Sequence, residues 1–399
     1  MKALILDLVH GADILAEELI KEGYEVTGSD VYRIATEESK RDLKEKGIKI
    51  FTGEVPEGHY DLLLMPVHCP DSFLKGVTWD VRKTFHQAVG ELTSGKDRIE
   101  ITGVKGKTSC CYLLAHILGL DGRKLFLHTS RGQGPWDVEH KIEKKMSIAP
   151  TSILRLPGGY DTIIAEVSLG GSGKAEVTAI TNLADDYGIA ANSRKASDAK
   201  ASIFSDGVNI VSASEIEFWS KYGKELRGYG GRVTIKDRPR IGVPLKAEIE
   251  YCGQHDVTLS GDYLALQYMS TMDLVLEICD VLGIDAERVI RGLESFKGVP
   301  GRGEISKDGD IWYVTERNPG ISHLSIGNTL KVLGDMDSLD GAFAIINPVN
   351  RKVCEKMDMD KIATMFDSYG VRYAVEEGME HHVPKDAKTI ITFVKEGYQ

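Results

Sequence analysis

No apolar run in this chain of 399 residues approaches the roughly 20 residues that a membrane-crossing helix needs, so no membrane partner is expected. Positive charge is also short: 49 Lys and Arg stand against 60 Asp and Glu, and the net charge of −11 excludes the broad basic face that nucleic acid requires. An anionic ligand must therefore be met by a few local cations. Cysteines are few (Cys69, Cys110, Cys111, Cys252, Cys279 and Cys354) and form no C-x-x-C pair. Most lie in apolar runs, which reads as buried small hydrophobes in a reducing cytoplasm, not as a disulfide framework or metal ligands. Met1-Lys2 leads straight into a short strand ending at Asp7, so no secretion signal is expected. The glycines of a dinucleotide fingerprint are missing too. Gly11 alone stands where three would be, and although Asp30 lies at a suitable distance, a Rossmann-like domain without a nucleotide is the better reading.

What is present is α/β patterning, with 42 glycines and alternating strand and helix signals over a length that suits two or three domains. Strands are expected over residues 3–7, 24–28, 48–52 and 62–66, with helices over 13–21 and near 81–92. The Thr93-Ser94-Gly95-Lys96 linker should close this first domain. Beyond it runs the most informative stretch, Ile99-Glu100-Ile101-Thr102-Gly103-Val104-Lys105-Gly106-Lys107-Thr108-Ser109, followed by a helical pattern over 110–118. Gly103 and Gly106 let successive N–H groups turn toward one anion, and the helix start adds its positive end. Lys107 can reach the β- and γ-phosphates and the Thr108 hydroxyl can ligate Mg²⁺, so the stretch reads as a nucleoside triphosphate loop. Only two residues separate Gly103 from Gly106, against four in the usual pattern.

A strand over 124–129 leads to a glycine-rich turn, Ser130-Arg131-Gly132-Gln133-Gly134, and a buried strand over 162–167 then delivers Glu166 and Ser168 at its carboxyl end. Ligands of open α/β sheets bind there. Glu166 reads either as a Mg²⁺ ligand beside the loop or as a solvated strand-end carboxylate. A strand over 177–181 ends in Thr181-Asn182, and a helix carries Ala199-Lys200-Ala201-Ser202-Ile203-Phe204.

The phosphate loop, the strand ending Glu166-Val167-Ser168, Thr181-Asn182, Ala199-Lys200 and the later Gly301-Arg302-Gly303-Glu304 together resemble the Mur ligase superfamily, in its order and over most of the chain. The resemblance implies a Rossmann-like N-terminal substrate domain (1–96), a central P-loop ATPase domain (97–297) and a small Rossmann-like C-terminal domain (298–399). It implies an ATP- and Mg²⁺-dependent cytoplasmic enzyme that activates a carboxylate as an acyl phosphate and joins it to an amine. Carried over by position, Gly103, Lys105, Gly106, Lys107, Thr108, Ser109, Asn182, Gln267, Arg302 and Asn318 would contact the nucleotide. Thr108, Glu166 and a carbamylated Lys200 would hold metal, and Lys107, Glu166, Lys200 and Arg302 would be catalytic. On the residues alone, Lys200 is an ordinary helical lysine and Arg302 a linker arginine after Lys297-Gly298-Val299-Pro300.

The chain also departs from the family pattern. Tyr187 stands where many members have a His, and Tyr is a poor Mg²⁺ ligand; Gln267 is the one amide where members carry Asn-x-x-Asn. Thr315-Glu316-Arg317-Asn318-Pro319-Gly320-Ile321-Ser322 replaces another motif and keeps only Asn-Pro; it reads as a turn or as a Glu316–Arg317 pair orienting a substrate carboxylate. These features resemble the methanogen branch of the superfamily, which implies a small-molecule substrate, a nickel-containing tetrapyrrole acid on which a carbocyclic ring is closed. Arg131, Arg194, Lys195, Arg317 and Arg351 are candidate cations for its carboxylates, each also explicable as surface charge. His10 and His68, at expected strand ends of the first domain, are candidates to face substrate.

Overall fold

The computed structural model describes residues 1–184, 186–348, 357–375 and 384–396, which leaves Arg351 and Cys354 outside the described residues. Two compact units are present, residues 1–111 with 123–228, and residues 112–122 with 229–399. Mixed α/β construction with parallel sheets, as expected from the sequence, runs through both.

The first sheet holds β1 (Lys2–Leu6), β2 (Glu25–Asp30), β3 (Lys49–Thr52), β4 (Gly58–Met65) and β5 (Val77–Thr84) in the order β3-β2-β1-β4-β5, all parallel. Parallel strands covered on both faces need near-continuous apolar runs, and Ala3 to Leu6 of β1 are all buried. Helix α1 (Ala12–Lys21) packs Ala12, Leu15, Ala16 and Leu19 into the core at the i, i+3, i+4, i+7 spacing of one helical face. Helix α2 (Glu37–Glu45) follows β2. The segment over 81–92 is not helical throughout. Its first residues complete β5 beside β4, and α3 (Phe85–Leu92) starts only where Thr84 accepts from Gln87 N and the Gln87 side chain accepts from Thr84 N at 2.8 Å.

The second sheet is built on β6 (Arg98–Thr102), β7 (Leu125–Thr129), β8 (Gly132–Asp137), β9 (Glu139–His140), β10 (Thr162–Glu166), β11 (Val177–Ile180) and β14 (Val208–Ser212). A two-stranded ribbon, β12 (Gly188–Ile189) with β13 (Arg194–Lys195), lies between β11 and β14 in the chain. The order is β14-β11-β6-β10-β7-β8-β9, with β15 (Arg227–Tyr229) beside β14. Helix α4 (Lys107–Leu120) leaves β6, and α5 (Ala196–Lys200) leaves β13. The glycine-rich segment after β7 is a tight Ser130-Arg131 turn, because Gly132 already pairs with Thr129 in an antiparallel hairpin. Strand β6 buries an ion pair: Arg98 Nε donates to Glu100 Oε1 at 2.7 Å, and Ser172 N and Oγ donate to the Glu100 carboxylate at 2.7 and 2.6 Å.

Helix α6 (Ile216–Ser220), in the first unit, precedes β15; in the second unit a small antiparallel sheet joins β16 (Val233–Ile235), β17 (Leu245–Glu250) and β18 (Gln254–Leu259). Helices α7 (Met269–Val281) and α8 (Ala286–Ser295) follow. The last sheet contains β19 (Arg302–Asp308), β20 (Ile311–Asn318), β21 (Ala342–Asn347), β22 (Arg372–Val375) and β23 (Thr389–Lys395) in the order β19-β20-β23-β21-β22, with α9 (His323–Asp335) and α10 (Met359–Tyr369). Only the β19–β20 pair in it is antiparallel.

Candidate active site

Strand β6 ends in the Gly103–Gly106 loop, and α4 begins at Lys107. The loop's shape is held from the neighbouring strand β11. Thr181 Oγ1 donates to Lys105 O at 2.6 Å, Asn182 Nδ2 donates to the same oxygen at 3.1 Å, and Asn182 Oδ1 accepts from Lys105 N at 3.2 Å. Gly103 adopts φ +137°, and a Cβ there would lie 2.0 Å from Thr181 Oγ1, so the position is closed to any other residue without movement. The structure thus places Asn182 as a brace of the loop backbone. The Lys107 ammonium folds back over the loop, donating to Gly103 O at 3.3 Å, and sits 4.0 Å from Glu166.

Glu166, at the carboxyl end of β10, is buried and accepts from Thr108 Oγ1 at 2.9 Å and from Ser130 N at 3.0 Å. Thr108 Oγ1 also lies 3.2 Å from Ser130 Oγ. Two adjacent ligands of an octahedral Mg²⁺ at the usual bond length of 2.0–2.1 Å are about 2.9 Å apart, the separation that Thr108 Oγ1 and Glu166 Oε2 show. These two oxygens therefore fit one Mg²⁺ at the mouth of the Gly103–Gly106 loop. Ser130, not singled out in the sequence, joins them because β7 pairs with β10 and brings its turn to the same sheet end. Arg131 follows in that turn. Ser109 is in the first turn of α4.

Lys200 ends α5 and is buried, 1% exposed, with its ammonium 5.6 Å from the Tyr187 ring centroid. Burial above all, with the Lys107 charge adding to it and Asp186 opposing both, lowers its pKa to about 8. Asp186 fixes the start of the helix by accepting from Ser197 N at 2.8 Å and Ser197 Oγ at 3.0 Å.

At the first sheet's carboxyl end, the buried Asp7 brings His10 and His68 together. His10 Nδ1 and His68 Nε2 lie 2.6 and 2.8 Å from Asp7 Oδ2, and Val9 N donates to Oδ1 at 3.0 Å. Asp30 has other work: it pairs with Lys40 at 3.1 Å and accepts from Ile34 N and Ala35 N at 3.0 and 3.2 Å, which spends the carboxylate a dinucleotide ribose would need. Arg194 pairs with Asp71 at 3.1 Å, and Lys195 precedes α5.

In the second unit Glu316 and Arg317 do not pair with each other. Adjacent strand residues face opposite sides, so Glu316 is buried and Arg317 exposed. Glu316 instead stands opposite Arg302 on β19 and accepts from Thr329 Oγ1 at 3.2 Å, while Gln267 Nε2 donates to Thr329 Oγ1 at 3.0 Å. Burial raises the Glu316 pKa, opposed by Gln267, Arg302 and Thr329. The Arg302 Nε is buried with no hydrogen-bond partner among the described residues. Asn318 ends β20, and its carbonyl accepts from Glu396 N at 3.1 Å.

No protein-family model matches the chain. It is 29% identical over 420 aligned positions to a protein of Methanosarcina acetivorans named coenzyme F(430) synthetase, covering 93% of this chain and 88% of that one. To the Methanocaldococcus jannaschii protein of the same name it is 28% identical, covering 99% and 93%. In fold it is similar to MurF ligase from Thermotoga maritima, crystallised in complex with ADP, at a TM-score of 0.56, 14% identity and coverage of 98% and 94%. The chain has the fold of the Mur ligases. It is an ATP-dependent ligase. Among the described residues of the ligase, no helix is long and apolar enough to cross a membrane.

Proposed function

We propose that the ligase activates a carboxylate of a nickel-containing tetrapyrrole acid as an acyl phosphate and closes a carbocyclic ring on it, completing coenzyme F(430) with release of ADP and phosphate. The observation that carries this reading is the similarity to two proteins named coenzyme F(430) synthetase along nearly the whole chain. In the first step the substrate carboxylate attacks the γ-phosphorus and the bond to ADP breaks. This step needs positioning and charge neutralisation more than covalent help. Lys107, the loop N–H groups and the start of α4 meet the charge on the phosphoryl oxygens. Thr108 and Glu166 would hold Mg²⁺, which would neutralise phosphate charge. Lys200, with its lowered pKa, has a neutral amine fraction open to carbamylation, and a carbamate would add an anion beside that metal.

The three-domain scheme, 1–96, 97–297 and 298–399, assigns substrate to the first domain and ATP to the second. Arg302, Gln267 and Asn318 are the nucleotide contacts proposed for the remainder, and a cytoplasmic setting goes with this chemistry. An amide-forming ligase would use the same acyl phosphate with an amine acceptor, and the fold shared with MurF ligase favours it as the second reading. ADP release from Mg²⁺-ATP and the nickel seco-tetrapyrrole acid, with no amine present, tests the choice. Turnover is expected; turnover only on adding an amine overturns ring closure.

A further inference from the structure

Sheet order β3-β2-β1-β4-β5 makes the gap between β1 and β4 the point where connections leave in opposite directions, and ligands of such sheets bind outside the strand ends there. Asp7 and His10 follow β1 and His68 follows β4, so this crevice carries two imidazoles on one fully buried carboxylate. Asp7 is held at φ +65°, a conformation that costs a non-glycine residue about 1 kcal/mol or more. A nitrogen and an oxygen bound to one tetrahedral Zn²⁺ sit about 3.3 Å apart by the usual bonds of about 2.0–2.1 Å, whereas the 2.6 and 2.8 Å from His10 Nδ1 and His68 Nε2 to Asp7 Oδ2 are those of hydrogen bonds. Bonding to Asp7 through Nδ1 leaves His10 Nε2 for another partner, and the His10 side chain is 41% exposed. His68 is less exposed, stacked on Tyr32 with centroids 5.9 Å apart. Val67, next to His68, shares a core cluster with Ala196 and Ala199 of α5, the helix that ends in Lys200. The crevice therefore adjoins the Lys200 side of the phosphate site within the same unit.

We infer that His10 is the proton acceptor of the ligase's second step, oriented by Asp7, with His68 as a positioning residue. The assignment rests on the ring-closing reading for the identity of the nucleophile. A carbon acid must lose its proton before it attacks an acyl phosphate. The C–H proton passes to His10 Nε2, the freed pair forms the C–C bond at the acyl carbon, and the C–O bond breaks as phosphate leaves with its electrons. Asp7 remains ionised and steadies the imidazolium. Burial works to raise the Asp7 pKa, but the bonds from His10 and His68 outweigh it and hold the carboxyl well below its usual range. The bond to Asp7 raises the His10 pKa against burial.

Two readouts test this. Nitrogen-15 spectra of histidine-labelled protein, without substrate, should show His10 protonated at Nδ1 and His68 at Nε2, with both preferences lost in Asp7→Asn; unchanged tautomers in that variant overturn the orienting role. With Mg²⁺-ATP, the nickel seco-tetrapyrrole acid and hydroxylamine, His10→Gln should still form ADP and hydroxamate within about 3-fold of wild type. Ring-closed product should fall roughly 10²–10⁴-fold, the usual worth of a general base. Equal loss of hydroxamate and product, or full retention of product, overturns the assignment. Wild-type protein that forms no hydroxamate from this acid refutes the substrate reading instead, and the same split is then read on the acid and amine pair that turns over.

Discussion

Replacing Gly103 by Ala tests how the phosphate loop is built. Its φ of +137° is accessible to glycine and costs other residues about 1–3 kcal/mol. The new Cβ would also lie 2.0 Å from Thr181 Oγ1 and 2.9 Å from Thr181 N, an overlap with backbone that rotamer changes cannot relieve. Overpacking of this kind costs about 1–3 kcal/mol, so the loop should lose roughly 2–6 kcal/mol of preference for its anion-binding shape. At about 1.4 kcal/mol per decade, the lower bound is already a roughly 30-fold loss in affinity for Mg²⁺-ATP, measurable by calorimetry. Thermal unfolding of the free protein should show the fold retained. Adding Thr181→Ala should recover part of the loss and not all, since the backbone strain stays. Wild-type affinity in Gly103→Ala would refute the claim that this loop, in this conformation, is where ATP binds.

Lys107→Ala should abolish ADP formation with the fold intact by circular dichroism; normal turnover would remove Lys107 from the phosphate site. Glu100→Ala strands the Arg98 guanidinium inside the second sheet and should cost about 3–5 kcal/mol in urea unfolding, while a loss under about 1 kcal/mol would mean water repairs the site. Because the Lys200 pKa is lowered to about 8 from 10.5, the unfolded chain binds more protons than the folded one between those values, and stability should rise with pH across that window. In the same protein a ¹³C carbamate signal from labelled bicarbonate should grow as pH passes 8 and vanish in Lys200→Arg; a signal that survives in that variant belongs to another amine.

The strand–loop–helix geometry around Gly103–Thr108 was legible because its signal is local. Gly103, Gly106, Lys107 and Thr108 lie within a few residues of one another, and the strand before and helix after them show in the apolar pattern. Glu166 was readable from its place at a strand end, but its partner Ser130 was not, since their meeting depends on β7 lying beside β10. Asp7 was passed over for a similar reason: the strand-end histidines were visible, whereas a carboxylate shared by residues 61 positions apart is fixed by pairing of β1 with β4. The sequence offered Arg317 as the neighbour of Glu316, but strand alternation separates them and the antiparallel register supplies Arg302. Near residue 81 the helical signal of Phe85–Leu92 spread backwards into a strand, because the Thr84–Gln87 capping box is a short signal beside a long apolar pattern.

The measurement that bears most directly on the whole account is the mass of the product formed from the nickel seco-tetrapyrrole acid and Mg²⁺-ATP with no other reactant. Ring closure through an acyl phosphate predicts one ADP and one phosphate per turnover, with a product lighter than the acid by one water. ADP formation with the acid recovered unchanged, or a product heavier by an added amine, would contradict it.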